Sequence, residues 1–177
     1  MYMADGIDTG DMLLKTEVTI EEDDNFESIH DKLGIAGAKT LIDTVNALKA
    51  GTLTAIPQDD ALSTYAAKIE KSDCLIDFNA DAHTVHNRIR GLSPMPLAFT
   101  HTPDGKLLKV PAAKRGHSPE AGNIAAPGTV LSLDNGIEVA CGTGSVIFTV
   151  VTPEGKSRMN AADYIRGRKI AVGDLLG

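Results

Sequence analysis

Apolar residues recur along the first fifty positions in two different patterns. Between residues 25 and 50 they fall three or four positions apart, which is the spacing of one face of a helix. Residues 1–4 and 12–20 lack that period, and the second run ends in β-branched residues, so both are predicted to be strands. Two strands and one helix cannot bury both faces of a sheet, so a fragment of an α/β layer is predicted. The helical stripe consists of Phe26, Ile29, Leu33, Leu41, Val45 and Leu48.

Polar residues and glycines mark the ends of this first helix. Asp24 precedes the helix and Glu27 follows it by three positions, which is a capping-box pattern with Asp24 as the N-cap. Gly51 is a typical helix terminator. Gly34 and Gly37 inside the helix predict either a kink or a short break between two helices.

The remainder of the chain changes from helical to strand-like patterning. The periodicity fades from residue 52 to 73, which predicts a linker, and Asn79 is then predicted to cap a helix over about residues 80–92. Short runs separated by turn residues follow, and such a series predicts a small barrel. A last helix is predicted to begin at Asn160 and end near Lys169. The five predicted strands are residues 97–102, 106–113, 129–133, 137–141 and 146–151.

The composition is that of a globular protein outside membranes. Of the 177 residues, 42% are apolar and 23% are charged, and no apolar run approaches the ~18 residues of a membrane span. No signal-peptide pattern opens the sequence, so a cytoplasmic protein is predicted. Cys74 and Cys141 are far apart and without a metal-ligand spacing, so both are predicted to be buried apolar residues.

Charge divides the chain into two parts. Residues 1–60 hold 13 acidic and 4 basic residues, whereas residues 61–177 hold 11 acidic and 13 basic residues. Two units with different partners are therefore expected. Basic residues of the second part form two clusters that would suit phosphate groups, although a net charge near +2 is more typical of ordinary solvated surface charge. The first cluster is Lys106, Lys109, Lys114 and Arg115, and the second is Lys156, Arg158, Arg166, Arg168 and Lys169.

Two groups of residues are candidates for chemistry. Asp5, Asp8 and Asp11 stand three positions apart in a turn with glycines, and such turns at strand ends often form sites, although any exposed connection is also rich in Asp and Gly. His83 and His86 lie three residues apart on the second helix. A pair alone does not make a metal site, and an exposed helical face accounts for both histidines. No metal site is therefore predicted.

Six segments carry a resemblance to a known family. Together they resemble the methionyl-tRNA formyltransferases, over essentially the whole chain. The first segment is similar to a signature shared by enzymes that use 10-formyltetrahydrofolate, whereas the last two are similar to the C-terminal barrel of the tRNA enzyme. The segments are Ala4–Asp11, Tyr65–Ile69, Ile76–Phe78, Ile89–Pro96, Ala126–Val130 and Gly136–Gly142.

The resemblance implies a fold, a reaction and site residues. Residues 1–51 would be the end of a Rossmann-like formyltransferase domain, residues 52–73 a linker, and residues 74–177 an OB-like barrel with flanking helices. The reaction would transfer a formyl group from 10-formyltetrahydrofolate to the α-amine of methionyl initiator tRNA. Asp8 would be catalytic, and Ala4, Asp5 and Gly6 would bind the folate. The residues implied in tRNA binding are Arg90, Lys106, Lys109, Lys114, Arg115, Arg166 and Arg168.

The sequence also departs from the family. It contains no Asn-x-His motif and no Ser-Leu-Leu-Pro loop, and Met95 stands where the family usually has Trp. The chain is therefore expected to begin inside the catalytic domain and to be inactive by itself, because Asp8 lacks a histidine partner. Exposed sheet left in such a chain would favour self-association. Two alternatives remain, an RNA-binding barrel without catalysis and another formyl-folate enzyme, such as a sugar-nucleotide formyltransferase.

Overall fold

The computed structural model describes residues 1–116, 125–167 and 169–177. The chain divides into two compact units, Met1–Lys68 and Ile69–Gly177. A helix and extended chain make up the first unit, and an antiparallel sheet with helices makes up the second. The predicted order of an α/β fragment followed by a β-rich part is confirmed at this level.

One long helix, α1 (Phe26–Ala50), dominates the first unit. It continues through both internal glycines and ends at Gly51, which takes the left-handed conformation with φ 66°. The predicted N-cap is wrong by one residue. Asn25 Oδ1 accepts the backbone N–H of Ser28 at 3.0 Å, and Ser28 Oγ accepts the N–H of Asn25 at 3.0 Å, so the capping box starts at Asn25. Asp24 Oδ2 instead accepts the backbone N–H of Glu21, in the segment that precedes the helix.

The strands predicted over residues 1–4 and 12–20 are wrong. Met12 forms an isolated antiparallel bridge with Ile56, and the described residues around it form no longer ladder. A strand is stabilised by continuous pairing with a neighbour, and a local apolar pattern cannot supply that neighbour. The 3₁₀-helix Asp60–Leu62 lies within the predicted linker, and a second one, Lys71–Cys74, spans its end.

The second unit is built on a six-stranded antiparallel sheet. Its order is β1-β2-β5-β4-β3, with β6 paired to β5, and no ladder joins β3 to β1 among the residues that the structure describes. The register of β2 against β5 shifts between Lys109 and Ala113, a stretch that includes Pro111, which has no N–H for the ladder. The strands are β1 (Ala98–His101), β2 (Leu107–Arg115), β3 (Val130–Ser132), β4 (Ile137–Ala140), β5 (Ser145–Pro153) and β6 (Met159–Asn160).

Two helices accompany this sheet. The helix α2 (Ala82–Gly91) begins at Asp81, whose Oδ1 accepts the Thr84 N–H at 3.0 Å, so the predicted cap at Asn79 is wrong. Asn79 instead folds back on Asp77. The helix α3 (Ala161–Arg166) is shorter than predicted, and Asn160 precedes it without a side-chain capping bond.

The core of the second unit fills the space between α2, α3 and one face of the sheet. Val85 and Ile89 of α2 pack with Leu108 of β2 and Phe148 of β5, and these side chains are almost fully buried. Both cysteines are buried, as predicted from the sequence. Within the described ranges no helix is long and apolar enough to cross a membrane.

Candidate functional site

The carboxylate loop, residues 5–11, is closed by backbone contacts at its base. The N–H of Tyr2 donates to Asp11 O at 2.9 Å, and Gly10 is buried against the same strand of chain. A Cβ atom on Gly10 would stand 1.8 Å from Tyr2 O, so only glycine fits. Asp8 takes the left-handed conformation with φ 57°, which Asp tolerates better than most residues. The loop therefore depends on backbone geometry at two positions.

The three carboxylates of this loop differ in exposure. Asp5 and Asp8 are exposed, whereas Asp11 is half-buried. Ala4, Gly6, Asp8 and Gly10 contribute to the lining of an open cavity of about 260 Å³. No ion pair or hydrogen bond to the Asp8 carboxylate occurs within the described ranges. A carboxylate in this state can accept hydrogen bonds from a ligand or a water molecule.

One contact to this loop was not predicted from the sequence. Gln58 Nε2 donates to Asp8 O and to Gly10 O, at 2.7 Å each. The sequence pattern placed Gln58 in a linker, because a side-chain contact across 48 and 50 residues leaves no local signal. Gln58 can be predicted to contact the loop only when the bridge between Met12 and Ile56 is known, because that bridge brings the two segments together.

Three of the predicted basic residues lie on β2. Lys109 pairs in register with Phe99 of β1 and Thr152 of β5, and it is half-buried. Lys114 and Arg115 are exposed at the end of the strand, where Lys114 pairs in register with Ile147. The strand thus distributes positive charge along most of its length, and the structure does not gather it at a single point.

Lys106 lies outside the strand and is paired with a carboxylate. Its Nζ donates to Asp104 Oδ2 at 2.5 Å, and this contact, followed by the Thr102 hydroxyl, lowers the pKa of Asp104 to about 2. The pKa of Lys106 is raised by the same carboxylate. Lys156 and Lys169, 50 and 63 residues further on, line one small cavity of about 40 Å³ with Lys106. The sequence did not predict this grouping, because its three lysines are far apart along the chain.

The remaining predicted basic residues are dispersed. Arg90 on α2 donates through Nε to Asn87 Oδ1 at 2.8 Å, and Arg166 on α3 is paired with Asp163. Arg168 lies outside the described residues. The candidate set is thus found on α2, β2, α3 and the turn before β2, and carboxylates pair with Lys106 and with Arg166.

The two helical histidines have different environments. His86 is buried, and its Nε2 lies 3.2 Å from Ala113 O, whereas His83 is exposed beside Asn87, whose Nδ2 lies 3.3 Å from Nε2. Among the residues that can be described, no three His, Cys, Asp or Glu side chains are arranged to hold a metal ion.

One family model matches mainly the second unit of the chain. The family model described as "Formyl transferase, C-terminal domain" matches residues 68–169, more than half of the chain. The chain belongs to this family. The formyl transferase C-terminal domain includes the sheet, α2, α3 and all six described basic candidates, whereas the carboxylate loop lies outside the matched residues.

Curated relatives of this formyl transferase family align with the whole chain. Methionyl-tRNA formyltransferases of Geotalea daltonii and Bacillus subtilis are 45% and 42% identical to it, over 100% of this chain and 55% of each relative. The chain thus spans about half the length of these relatives. HypX from Aquifex aeolicus, solved in complex with tetrahydrofolic acid, has a similar fold, with a TM-score of 0.64 and 17% identity over 94% of this chain and 29% of HypX.

Proposed function

We propose that this chain is the C-terminal part of a methionyl-tRNA formyltransferase that acts in the cytoplasm. The proposed reaction moves a formyl group from 10-formyltetrahydrofolate to the α-amine of methionine on initiator tRNA. Alignment of the entire chain with relatives of that name at 42–45% identity is the observation that supports it most. The tetrahydrofolic acid in the HypX complex supports a folate cosubstrate.

Asp8 is proposed as the catalytic carboxylate. When the amine attacks the formyl carbon, negative charge grows on the formyl oxygen; the bond from that carbon to folate N10 then breaks, and the amine proton passes to N10 as tetrahydrofolate leaves. A carboxylate orients a water molecule for that proton, and it favours the protonated form of a neighbouring imidazole. The exposure of Asp8 in an open cavity suits this role. Ala4, Asp5 and Gly6 are proposed to border the folate, and no metal is required.

The two units are proposed to divide the work. Residues 1–51 would complete the catalytic domain, residues 52–73 would link the parts, and residues 74–177 would form an OB-like barrel that holds tRNA. Lys109, Lys114 and Arg115 are proposed to contact phosphates, since all three lie on β2 and the last two are exposed at its end. Arg90, Lys106, Arg166 and Arg168 complete the proposed set.

A chimeric enzyme tests the catalytic proposal. The chain replaces the aligned C-terminal segment of the Bacillus subtilis relative, and formylation of methionyl-tRNA is measured. Asp8→Asn is expected to lower kcat by at least ~100-fold, because an acid or base group contributes about 10²–10⁴ to a rate. Asp23→Asn, the same change at an exposed carboxylate of the same unit, is the matched control. Equal activity of the two variants would contradict a catalytic Asp8.

The 177-residue chain alone provides a second readout. It contains no Asn-x-His sequence, so no formylation is expected from it with the same substrates. Measured turnover would overturn the proposed dependence of Asp8 on a histidine. Replacing methionyl-tRNA with an amino-sugar nucleotide in the chimera assay distinguishes the related sugar-nucleotide enzymes.

RNA binding without catalysis is the second candidate, and the exposure of Lys114 at the end of β2 favours it. Affinity for tRNA is measured against salt, because each phosphate contact steepens the logarithmic slope by about 0.9 for duplex nucleic acid. Lys114→Gln is expected to reduce the slope by roughly one unit. Lys39→Gln is the control, because the native Lys39 lies in the first unit and pairs there with Asp43. Unchanged slopes in both variants would contradict phosphate binding by β2.

Self-association is proposed for the first unit. Several large apolar side chains of α1 are exposed, including Ile35 at 78% and Leu41 at 65%. Exposed apolar surface of this kind drives association of identical chains. Light scattering is expected to give a mass above that of one chain, and a concentration-independent monomer would contradict the proposal.

A further inference from the structure

We propose that Gln58 is a positioning residue that holds the carboxylate loop, and with it Asp8, in one conformation. The inference rests on the catalytic role proposed for Asp8. Gln58 is outside the loop and outside the motifs that resemble the family signature. Its side-chain amide nevertheless contacts the loop at two points, Asp8 O and Gly10 O, both at 2.7 Å.

The register of the chain explains why a side chain makes these contacts. Met12 and Ile56 exchange both of their backbone hydrogen bonds, at 2.8 and 2.9 Å. In antiparallel pairing the next residues opposite each other are Asp11 and Pro57, and the pair after that is Gly10 and Gln58. The described residues show no backbone bond between Gly10 and Gln58. The Gln58 amide donates to Gly10 O where a continued ladder would have used the backbone N–H.

The chemistry of the contact fits glutamine well. A primary amide carries two N–H donors on one nitrogen, so it serves two carbonyl oxygens at once. Those two carbonyls flank Thr9, so their peptide planes are fixed from both sides of that residue. Asp8 has a φ of 57°, a conformation that persists in non-glycine residues when surrounding contacts support it. Gln58 provides such a contact immediately at Asp8.

The position of the carboxylate follows from the backbone of Asp8. Tyr2 closes the base of the loop, and Gly10 packs where a larger residue would meet Tyr2 O. The segment from Asp8 to Gly10 is then held by the Gln58 amide on its other side. Loss of that amide would let the loop sample other conformations and move the carboxylate away from its working position, without removing any group that reacts.

Nuclear magnetic resonance tests the contact in the full chain. Gln58 is the only glutamine of the sequence, so selective labelling of glutamine side-chain nitrogen gives a single amide group. Its two protons are expected to differ in shift from those of the urea-unfolded chain and to exchange more slowly with solvent. Unfolded-like shifts and exchange in the folded chain would overturn the proposal.

Substitution tests whether the contact orders the loop. Gln58→Met keeps the length of the side chain and removes both donors. Exchange of the Met12 amide hydrogen, which bonds to Ile56 O, is expected to become about tenfold faster. Asp60→Asn, a change at a neighbouring exposed residue, is the control and is expected to leave it unchanged. Equal exchange rates in the Gln58→Met variant and the control would overturn the proposal.

Kinetics of the chimeric enzyme test the role in catalysis. Gln58→Met is expected to lower kcat about tenfold and to leave KM for methionyl-tRNA unchanged, since the residue positions Asp8 and does not bind tRNA. Normal kcat in this variant, with Asp8→Asn still inactive, would overturn the positioning role alone. Normal kcat in both variants would instead overturn the proposed function of Asp8, and the resonance experiment would still report the contact.

Discussion

Thr100 carries the one buried hydroxyl that has no hydrogen-bond partner among the residues that the structure describes. The residue is fully buried in β1, where it pairs in register with Leu108 of β2. Thr100→Val keeps the shape and the β-branching and removes this hydroxyl. The variant is expected to have the same free energy of unfolding or to gain about 1 kcal/mol, because an unsatisfied buried polar group destabilises the folded state. Urea denaturation measures it.

Thr102 provides the matched comparison for this prediction. It is also buried, but its Oγ1 lies 2.6 Å from Asp104 Oδ1 and 3.1 Å from Lys106 O, and it donates to one of them at a time. Thr102→Val is expected to lower the free energy of unfolding by about 1 kcal/mol. If both valine variants lost similar stability, the hydroxyl of Thr100 would have a partner after all.

At the scale of elements, a carboxylate at the start of α1 makes the free energy of unfolding depend on pH. The buried Asp24 carboxylate accepts from Glu21 N and Ser28 Oγ at 2.8 Å and from Lys32 Nζ at 2.6 Å. The Lys32 contact is the largest cause that lowers its pKa to about 2, from the ordinary value of 3.8. A lowered pKa means that the ionised group stabilises the fold above about pH 4, and this contribution is lost as pH falls through about 2.

Asp24→Asn is therefore expected to destabilise the helix at neutral pH and to have little effect near pH 2. Helicity followed by circular dichroism during urea titration, repeated at several pH values, measures both. The control is Asp43→Asn. The native Asp43 carboxylate is half exposed and pairs with Lys39 on the surface of α1, where such pairs contribute little to stability. A difference between wild type and Asp24→Asn that does not shrink in acid would contradict the prediction.

Elements that depend on local patterns were predicted from the sequence, whereas those that depend on distant contacts were not. The helix of residues 26–50 and the strands of the second unit were predicted because periodicity and turn residues are local. The strands predicted for residues 1–4 and 12–20 are wrong, since pairing depends on a distant partner and, among the described residues, Met12 pairs with Ile56 alone. The N-cap moved from Asp24 to Asn25 because both residues can cap, and the contact with Lys32 decides between them. Gln58 was assigned to a linker because its partners in the loop lie 48 and 50 residues away in the sequence.

At the scale of the whole molecule, the chain is two units joined by exposed residues. Every residue from 61 to 70 is exposed, and the boundary between units falls after Lys68. Limited trypsin digestion is therefore expected to cut first at Lys68, since proteases act on exposed, accessible chain. The fragment from Ile69 onward is expected to keep the β-type circular dichroism and a cooperative thermal transition. Initial cleavage inside α1 or a strand would contradict the two-unit description.

The positions of the two cysteines add an intrinsic probe of this division. Cys74 and Cys141 are 4% and 1% exposed, both belong to the second unit, and the first unit contains no thiol. Burial, followed by the charge of Asp81, raises the pKa of Cys141 to about 12, so its thiol is also protonated in the folded state. The rate of labelling by a disulfide reagent therefore reports opening of the second unit separately, with the native sequence unchanged and no added fluorophore.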